Sequence, residues 1–418
     1  MHEPTTVVIL GITGDLAQKK ILPALFDLHA RKQLPEKTRI VGFSRRPFSG
    51  DEIRAFITES ISKTLFDASK LPEFLDIISY VQGNFDDVES YKELGEHLLA
   101  LDETYHNGCS NKLFYLSVPP TLYENIATHL SASGLSIPCG GAEGYARILV
   151  EKPFGKDLET AEKLDELFGR LFREEQIFRI DHYLAKESLF NIINVHRTES
   201  LSKHRWNKEY IERVEINLFE TAVVGSRGAF YDGVGALRDV GQNHMLQMLS
   251  LVAMNIPQSM SAQDIQHARQ NVLEHLIPIH QEKMVPIVRG QYDGYLAEPG
   301  VTPDSTTETF FSLTAFLDME DFAGVPFRLT SGKALNASQT DIVVVFKDGM
   351  RVAFTVPSED SLPAYQKILL DCIAGDWTVF ISTGEVLAEW RFITPIILAT
   401  SHQKPFVYAK GSDPKGFM

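Results

Sequence analysis

The sequence carries a run, Arg179-Ile180-Asp181-His182-Tyr183-Leu184-Ala185-Lys186-Glu187, that concentrates proton-handling and anion-binding side chains. Read as a helix, it sets His182 and Lys186 four residues apart on one face, a two-cation fork that fits a phosphate. Asp181 stands one position off that face and suits the role of orienting a histidine brought in from elsewhere. His244 is the candidate, at the centre of an expected amphipathic helix over residues 236–249. A His–Asp pair of this kind is a competent general base for removing a hydroxyl proton as a hydride leaves the same carbon. Taken singly, each feature also has a plain structural reading: a solvated helix, and a helical histidine that serves packing.

These groups need elements to hold them, and the first third of the chain supplies a pattern of alternating strand and helix. Thr5 to Leu10 reads as a buried parallel strand running into Gly11-Ile12-Thr13-Gly14-Asp15-Leu16, with an amphipathic helix expected from about Leu16 to Ala30. The spacing is G-x-x-G, shorter than the full dinucleotide fingerprint, but its strand-to-helix setting lets backbone approach a pyrophosphate at a helix N-terminus. Thr38 to Phe43 reads as the second strand, ending in Ser44-Arg45-Arg46. Arginine at that place accommodates a 2′-phosphate through bidentate hydrogen bonds, which points to NADP, where an acidic residue would select NAD. Further strands are expected near Ile77 to Val81, Lys112 to Val118 and Arg147 to Val150. Lys152, in Glu151-Lys152-Pro153-Phe154-Gly155, then falls at the ligand-binding edge of the sheet, a candidate for contact with coenzyme and substrate.

Beyond residue 178 longer strands and scattered helices imply an α+β domain with a mainly antiparallel sheet, so the expected organisation is α/β plus α+β: a Rossmann-like dinucleotide-binding domain over 1–178 and a larger catalytic domain over 179–418. Arg289-Gly290-Gln291-Tyr292 and Thr306-Thr307-Glu308-Thr309-Phe310 precede Gly332-Lys333, whose lysine could complete a basic island. That island must be local, because 55 acidic against 40 basic residues leave a net charge of −15, which excludes a nucleic-acid or anionic-membrane surface. Three cysteines, Cys109, Cys139 and Cys372, share no metal-ligand spacing; reduced thiols, no metal and a cytoplasmic location are expected. No basic leader or long apolar segment indicates export or membrane insertion.

In order along the chain, GITGDLAQKK, EKPFG, RIDHYLAKE, RDVGQNH, RGQY, AGVPF and SGKAL resemble the motifs of the glucose-6-phosphate dehydrogenase family. The resemblance runs from residue 7 to about 346 and resumes from Ala364-Tyr365 through Ala388-Glu389-Trp390. It implies His244 as base and Asp181 as its orienting group, His182, Tyr183 and Lys186 as holders of the sugar phosphate, and Glu220 and Asp239 on the sugar hydroxyls. It implies Lys333 on substrate, Lys152 and Lys20 in the region shared by coenzyme and substrate, and Gly11-Ile12-Thr13-Gly14-Asp15-Leu16-Ala17-Gln18 with Arg45 as the NADP site.

The activity implied is oxidation of D-glucose 6-phosphate to 6-phospho-D-glucono-1,5-lactone with reduction of NADP, the first oxidative step of the pentose phosphate pathway. The alternatives are a dehydrogenase of another sugar phosphate and a catalytically silent NADP-binding regulator. Ala185 and Gly241 depart mildly from the family pattern, Ser338 stands where a second basic residue is usual, and a short connector between Phe354 and Ala364 replaces several strands. With those strands absent and Thr330 where members with a structural coenzyme have arginine, one NADP per chain is expected, and the exposed sheet edge suggests a homodimer.

Overall fold

A computed structural model of the chain describes residues 4–62, 67–106, 108–139, 144–197, 206–278, 287–357 and 362–417. Its strands are β1 Thr5–Leu10, β2 Thr38–Ser44, β3 Ile78–Gln82, β4 Asn111–Leu116, β5 Ala146–Glu151, β6 Ile177–Ile180, β7 Ile211–Phe219, β8 Val288–Tyr292, β9 Phe310–Ala315, β10 Phe327–Gly332, β11 Gln339–Phe346, β12 Arg351–Thr355, β13 Phe380–Ile381 and β14 Phe406–Tyr408.

Two compact units emerge. The first comprises Met1–Phe154, Glu162–His182 and Ser361–Ile381; the second comprises Gly155–Ala161, Tyr183–Asp360 and Ser382–Met418. This division differs from a single cut at residue 178 over residues 155–161, 179–182 and 361–381. Residues 361–381 return to the first unit, where β13 covers the edge that β6 leaves, pairing antiparallel through Phe380↔Ile180 and Ile381↔Arg179. The helix Leu362–Ala374 comes with it, and Arg147 donates to the Cys372 and Ile373 carbonyls near that helix's end.

In the first unit the sheet order is β13-β6-β5-β4-β1-β2-β3, parallel apart from β13. Strand order reverses between β1 and β4, the point at which doubly wound sheets open a ligand crevice. Both strands are buried throughout, as expected for parallel strands covered on two faces. The helix after β1 opens with a π-helical turn, Ala17–Ile21, and continues as Leu22–Ala30. It is buried on most of its surface, against the expected amphipathic pattern, because the helix Leu362–Ala374 packs on the side that would face water.

The stretch around Asp181 is not a helix. β6 extends through Ile180 by pairing with β5 up to Glu151↔Ile180, residues 182–185 form a turn, and the next helix begins at Glu187. The ladder accounts for Arg179 and Ile180; beyond it the chain turns, with Lys186 N donating to the Tyr183 carbonyl at 2.9 Å, so the four-residue spacing of His182 and Lys186 falls in a turn. The expectation of reduced thiols also fails for Cys109 and Cys139, which form a disulfide across the 30 residues that separate them; Cys372 is free and buried. Their loops meet because β4 and β5 are neighbours and both cysteines lie just before the ends that pair, Lys112↔Ala146.

The second unit holds the sheet β12-β11-β7-β10-β9-β8-β14, antiparallel except for β7 with β10 and β8 with β14. Behind it the helices Ala262–Glu274 and Thr383–Thr400 are joined by an ion pair with no solvent exposure, Arg269 Nε to Glu385 Oε1 at 2.7 Å. Glu385 also caps its own helix, accepting from the Ser382 backbone N–H at 2.7 Å while the Ser382 hydroxyl accepts from Glu385 N. Removing the carboxylate strands a buried guanidinium charge, so Glu385→Ala is expected to cost about 3–5 kcal/mol. A lowered urea midpoint at unchanged slope would register that loss, and an unaltered midpoint would refute it.

Candidate functional site

In the first unit the glycine loop closes on the switch point. Gly11 has φ +90, and a Cβ there would lie 2.4 Å from the Ser117 carbonyl oxygen; at Gly14 the nearest atoms would be the Gly11 and Ser117 oxygens at 3.2 and 3.3 Å. Only glycine lets the end of β1 lie this close to the end of β4 and leaves bare backbone for a pyrophosphate. Ile12, Thr13, Asp15, Leu16, Ala17 and Gln18 complete the loop and first turn, with Gln18 donating to the Thr13 carbonyl at 3.0 Å. Lys20 is half-buried in the π-helical turn. Gly11 N donates to the Phe43 carbonyl at 2.8 Å, so the loop abuts the end of β2, where Arg45 is exposed. The Tyr80 hydroxyl bonds the Ser44 and Arg46 carbonyls, fixing the backbone on either side of Arg45. This cradle fits a dinucleotide.

The same unit contains a carboxylate that the sequence did not single out. Glu151, just before Lys152, is buried and accepts from the Tyr115 hydroxyl at 2.6 Å. Burial raises its pKa to about 7, reinforced by the charge of Asp181 and opposed by Tyr115, Lys152 and Tyr365. Asp181 is itself buried, and His182 stacks on the Tyr365 ring at a centroid distance of 6.2 Å. Glu151 was visible within EKPFG, but nothing in the sequence announced its tyrosine partners, 36 residues before it and far after it.

In the second unit His244 lies on a π-helical stretch, Leu237–Met245, that runs on into the helix Leu246–Ala253. Residues 240–253 are buried without a break, so this is a core helix and not the expected amphipathic one. Its i→i+5 bonding brings residues five apart toward one side, which draws Asp239 toward the face of His244. The Tyr183 ring packs on the His244 imidazole at 4.3 Å between centroids, and the Lys186 ammonium sits 4.3 Å from the centroid of that tyrosine. The back of the helix is held by Glu389, which accepts from Gln242 at 3.1 Å and Gln247 at 2.8 Å.

Glu220 and Lys333 become neighbours through strand register. β7 and β10 run parallel with Phe219 opposite Gly332, so the next residue of each strand emerges side by side. Lys333, 4% exposed, donates to Glu220 and lies 3.6 Å from Asp239. Two carboxylates around one ammonium offer acceptors and donors in alternation, the pattern that grips vicinal hydroxyls. Ser338 accepts from Thr221 N at 3.1 Å and brings no charge. The two departures from the family pattern have local explanations: a Cβ on Gly241 would come 2.8 Å from the Phe311 ring, and Ala185 is absent from the described residues with positive φ, so its backbone does not require glycine.

Known proteins of one family match the chain over nearly its whole length. The family model for the NAD-binding domain of glucose-6-phosphate dehydrogenase matches residues 8–191, and that for its C-terminal domain matches 195–362 and 350–416. The chain is 34% identical to the glucose-6-phosphate 1-dehydrogenase of Chlamydia muridarum, over 98% of this chain and 93% of that protein. It is 33% identical to the cytoplasmic isoform from Solanum tuberosum, over 97% of this chain and 89% of that one. A solved glucose-6-phosphate dehydrogenase in complex with glucose 6-phosphate superposes with a TM-score of 0.89 at 28% identity, over 99% of this chain and 96% of that chain. The alignment to the Chlamydia protein spans 476 positions, more than the 418 residues here, so that relative carries residues this chain lacks.

Glu151 yields a pH prediction. Its folded pKa, about 7, lies above the ordinary 4.5, so the folded state holds the proton more tightly than the unfolded chain. The associated stability is fully present below pH 4.5 and is lost as pH rises through 7. Glu151→Gln, which cannot ionise, is expected to flatten the stability profile over that window; an unchanged slope in urea midpoints across it would show that Glu151 is not the titrating group.

Proposed function

This chain belongs to the glucose-6-phosphate dehydrogenase family, and from that premise we infer that it oxidises D-glucose 6-phosphate at C1 to 6-phospho-D-glucono-1,5-lactone, with NADP as its coenzyme. The observation that carries the reading is the second unit's cluster: a buried histidine packed on Tyr183, with Asp239 on the same helix bridged through Lys333 to Glu220.

His244 takes the proton of the C1 hydroxyl, and the family assignment gives Asp181 the task of holding the imidazole and balancing the charge it gains. Glu220, Asp239 and Lys333 hold the sugar hydroxyls. His182, Tyr183 and Lys186 hold the phosphate, an attachment remote from C1 whose binding energy goes into orienting the reacting carbon. Lys152 and Lys20 serve the region shared by sugar and coenzyme. Gly11 to Gln18 hold the pyrophosphate and Arg45 the 2′-phosphate. The bound coenzyme supplies the hydride acceptor.

One NADP per chain and a homodimer complete the proposal, the latter supported by β12 at the end of the sheet, because the outer edge of a terminal strand favours cover. A cytoplasmic setting is supported by the isoform from Solanum tuberosum; among the described residues no helix is long and apolar enough to cross a membrane. Ser338 favours a second reading, a dehydrogenase of a different phosphorylated sugar, since it leaves the site one cation poorer than the family pattern. A panel of sugar phosphates assayed by NADPH absorbance separates the two, and a higher kcat/KM for another sugar would displace glucose 6-phosphate.

His244→Asn is expected to leave coenzyme and sugar binding in place while lowering kcat by roughly 10²–10⁴-fold, the usual worth of a positioned base. Retained turnover would remove His244 from that role. Arg45→Ala is expected to lower kcat/KM with NADP far more than with NAD, because a guanidinium pairs with the phosphate that NAD lacks; equal losses would show that coenzyme choice lies elsewhere.

A further inference from the structure

Two motifs, Arg289-Gly290-Gln291-Tyr292 and Thr306-Thr307-Glu308-Thr309-Phe310, have no part in the mechanism above, yet they meet at the start of the helix that carries His244. Ala236, at the N-cap, offers no side-chain acceptor to that helix. Glu308 supplies one from outside, its Oε1 accepting from Leu237 N at 3.0 Å. A carboxylate at this end also meets the positive pole of the helix. Glu308 is buried and closely held: Arg289 donates to Oε2 at 2.8 Å, and a Cβ on Gly235, at φ +74, would fall 2.3 Å from Oε1. Arg289 in turn donates to the Thr306 carbonyl at 2.8 Å and to the Thr400 carbonyl at 2.6 Å, at the C-terminal end of the helix Thr383–Thr400.

The same strand segment touches the catalytic cluster twice more. Phe311 fills the notch left by Gly241, one π-helical turn beyond Leu237, and the Thr309 carbonyl accepts from Lys333 N at 2.9 Å. A cap at one end and a ring seated in a notch fix both the translation and the rotation of the helix. Residues 308–311 therefore act as a template that sets His244 and Asp239 relative to Lys333.

We infer that Glu308, clamped by Arg289, is a positioning residue for His244, aligning the base through the first turn of its helix without touching substrate. The inference rests on His244 as the base. A cavity of about 180 Å³ beside the pair, lined by Arg238, Thr306, Thr307 and Thr400 among others, is polar enough for water to enter when the carboxylate is removed. Water would solvate Leu237 N without fixing it.

The test compares two charge-free double variants of the full chain, Arg289→Met/Glu308→Ala and Arg289→Met/Glu308→Gln. Both lack the buried ion pair; only the second keeps an oxygen for Leu237 N. Both are expected to melt within a few degrees of each other. The alanine pair should lose roughly 10–100-fold in kcat with glucose 6-phosphate, the scale of a small misplacement of a reacting group, while the glutamine pair stays within roughly 5-fold of the unaltered protein. KM for NADP should change by less than roughly 2-fold in either. Equal kcat in the two pairs would overturn the inference and leave the ion pair a stability element only. If the alanine pair does not fold, the glutamine pair decides: a folded Arg289→Met/Glu308→Gln variant with a kcat loss beyond roughly 10-fold would show that the cap oxygen is not what positions the helix. The His244 imidazole resonance, followed by NMR without substrate, should move in the alanine pair and not in the glutamine pair. That readout survives even if His244→Asn keeps its turnover, so failure of the positioning role and failure of the assignment of the base are told apart.

Discussion

An ammonium group almost removed from water must be surrounded by acceptors, and Lys333 imposes that requirement on everything near it. At 4% side-chain exposure it needs compensating charge, which Glu220 and Asp239 provide. Meeting the requirement brings three separate parts of the second unit into register: the end of β7, the end of β10 and the first turn of the His244 helix. Since β7 and β10 are parallel, residues 220 and 333 leave the sheet on the same side, an outcome unavailable to an antiparallel pair at that position. One parallel pairing within a mainly antiparallel sheet is thus what sets Glu220 beside Lys333.

Buried carboxylates recur as the means of holding the active helices. Glu389 takes the amides of Gln242 and Gln247 on one side of the His244 helix, Glu308 takes the first turn, and Glu385 ties the supporting helix to Arg269. Each is satisfied by at least two donors or by a guanidinium, as a charge in a low-dielectric interior demands. Glu151 in the first unit differs in kind: the Tyr115 hydroxyl and the Lys152 charge only partly offset its burial, and the nearby Asp181 charge works against ionisation, which is why its pKa rises to about 7. The stretch held in this way is π-helical, a rare geometry that is frequent at functional sites.

The shortened connector has a limited structural cost. The family model for the C-terminal domain breaks at residues 350–362, where β12 ends and the helix from Leu362 belongs to the first unit. β11 and β12 still pair over Asp341↔Thr355 to Val345↔Arg351, so the sheet terminates in a formed hairpin and the strands nearest Lys333 keep their neighbours on both sides.

From the sequence alone one can read the strand–glycine–helix opening, the place of the arginines after β2, and the division into an α/β and an α+β part. These are local facts: β-branched runs, glycine where backbone must approach closely, and motifs whose residues are contiguous. Whatever depends on partners far along the chain was not legible. His182 and Lys186 have helical spacing but lie beyond the ladder that ends at Ile180, in a turn closed by Lys186 N donating to the Tyr183 carbonyl, and the helix starts only at Glu187. The return of residues 361–381 to the first unit, the disulfide of Cys109 with Cys139, the tyrosines around Glu151 and the cap that Glu308 places on Leu237 all join residues that only the folded chain brings together. Composition and spacing state which groups are available; the register of strands and the satisfaction of buried charge decide which of them meet.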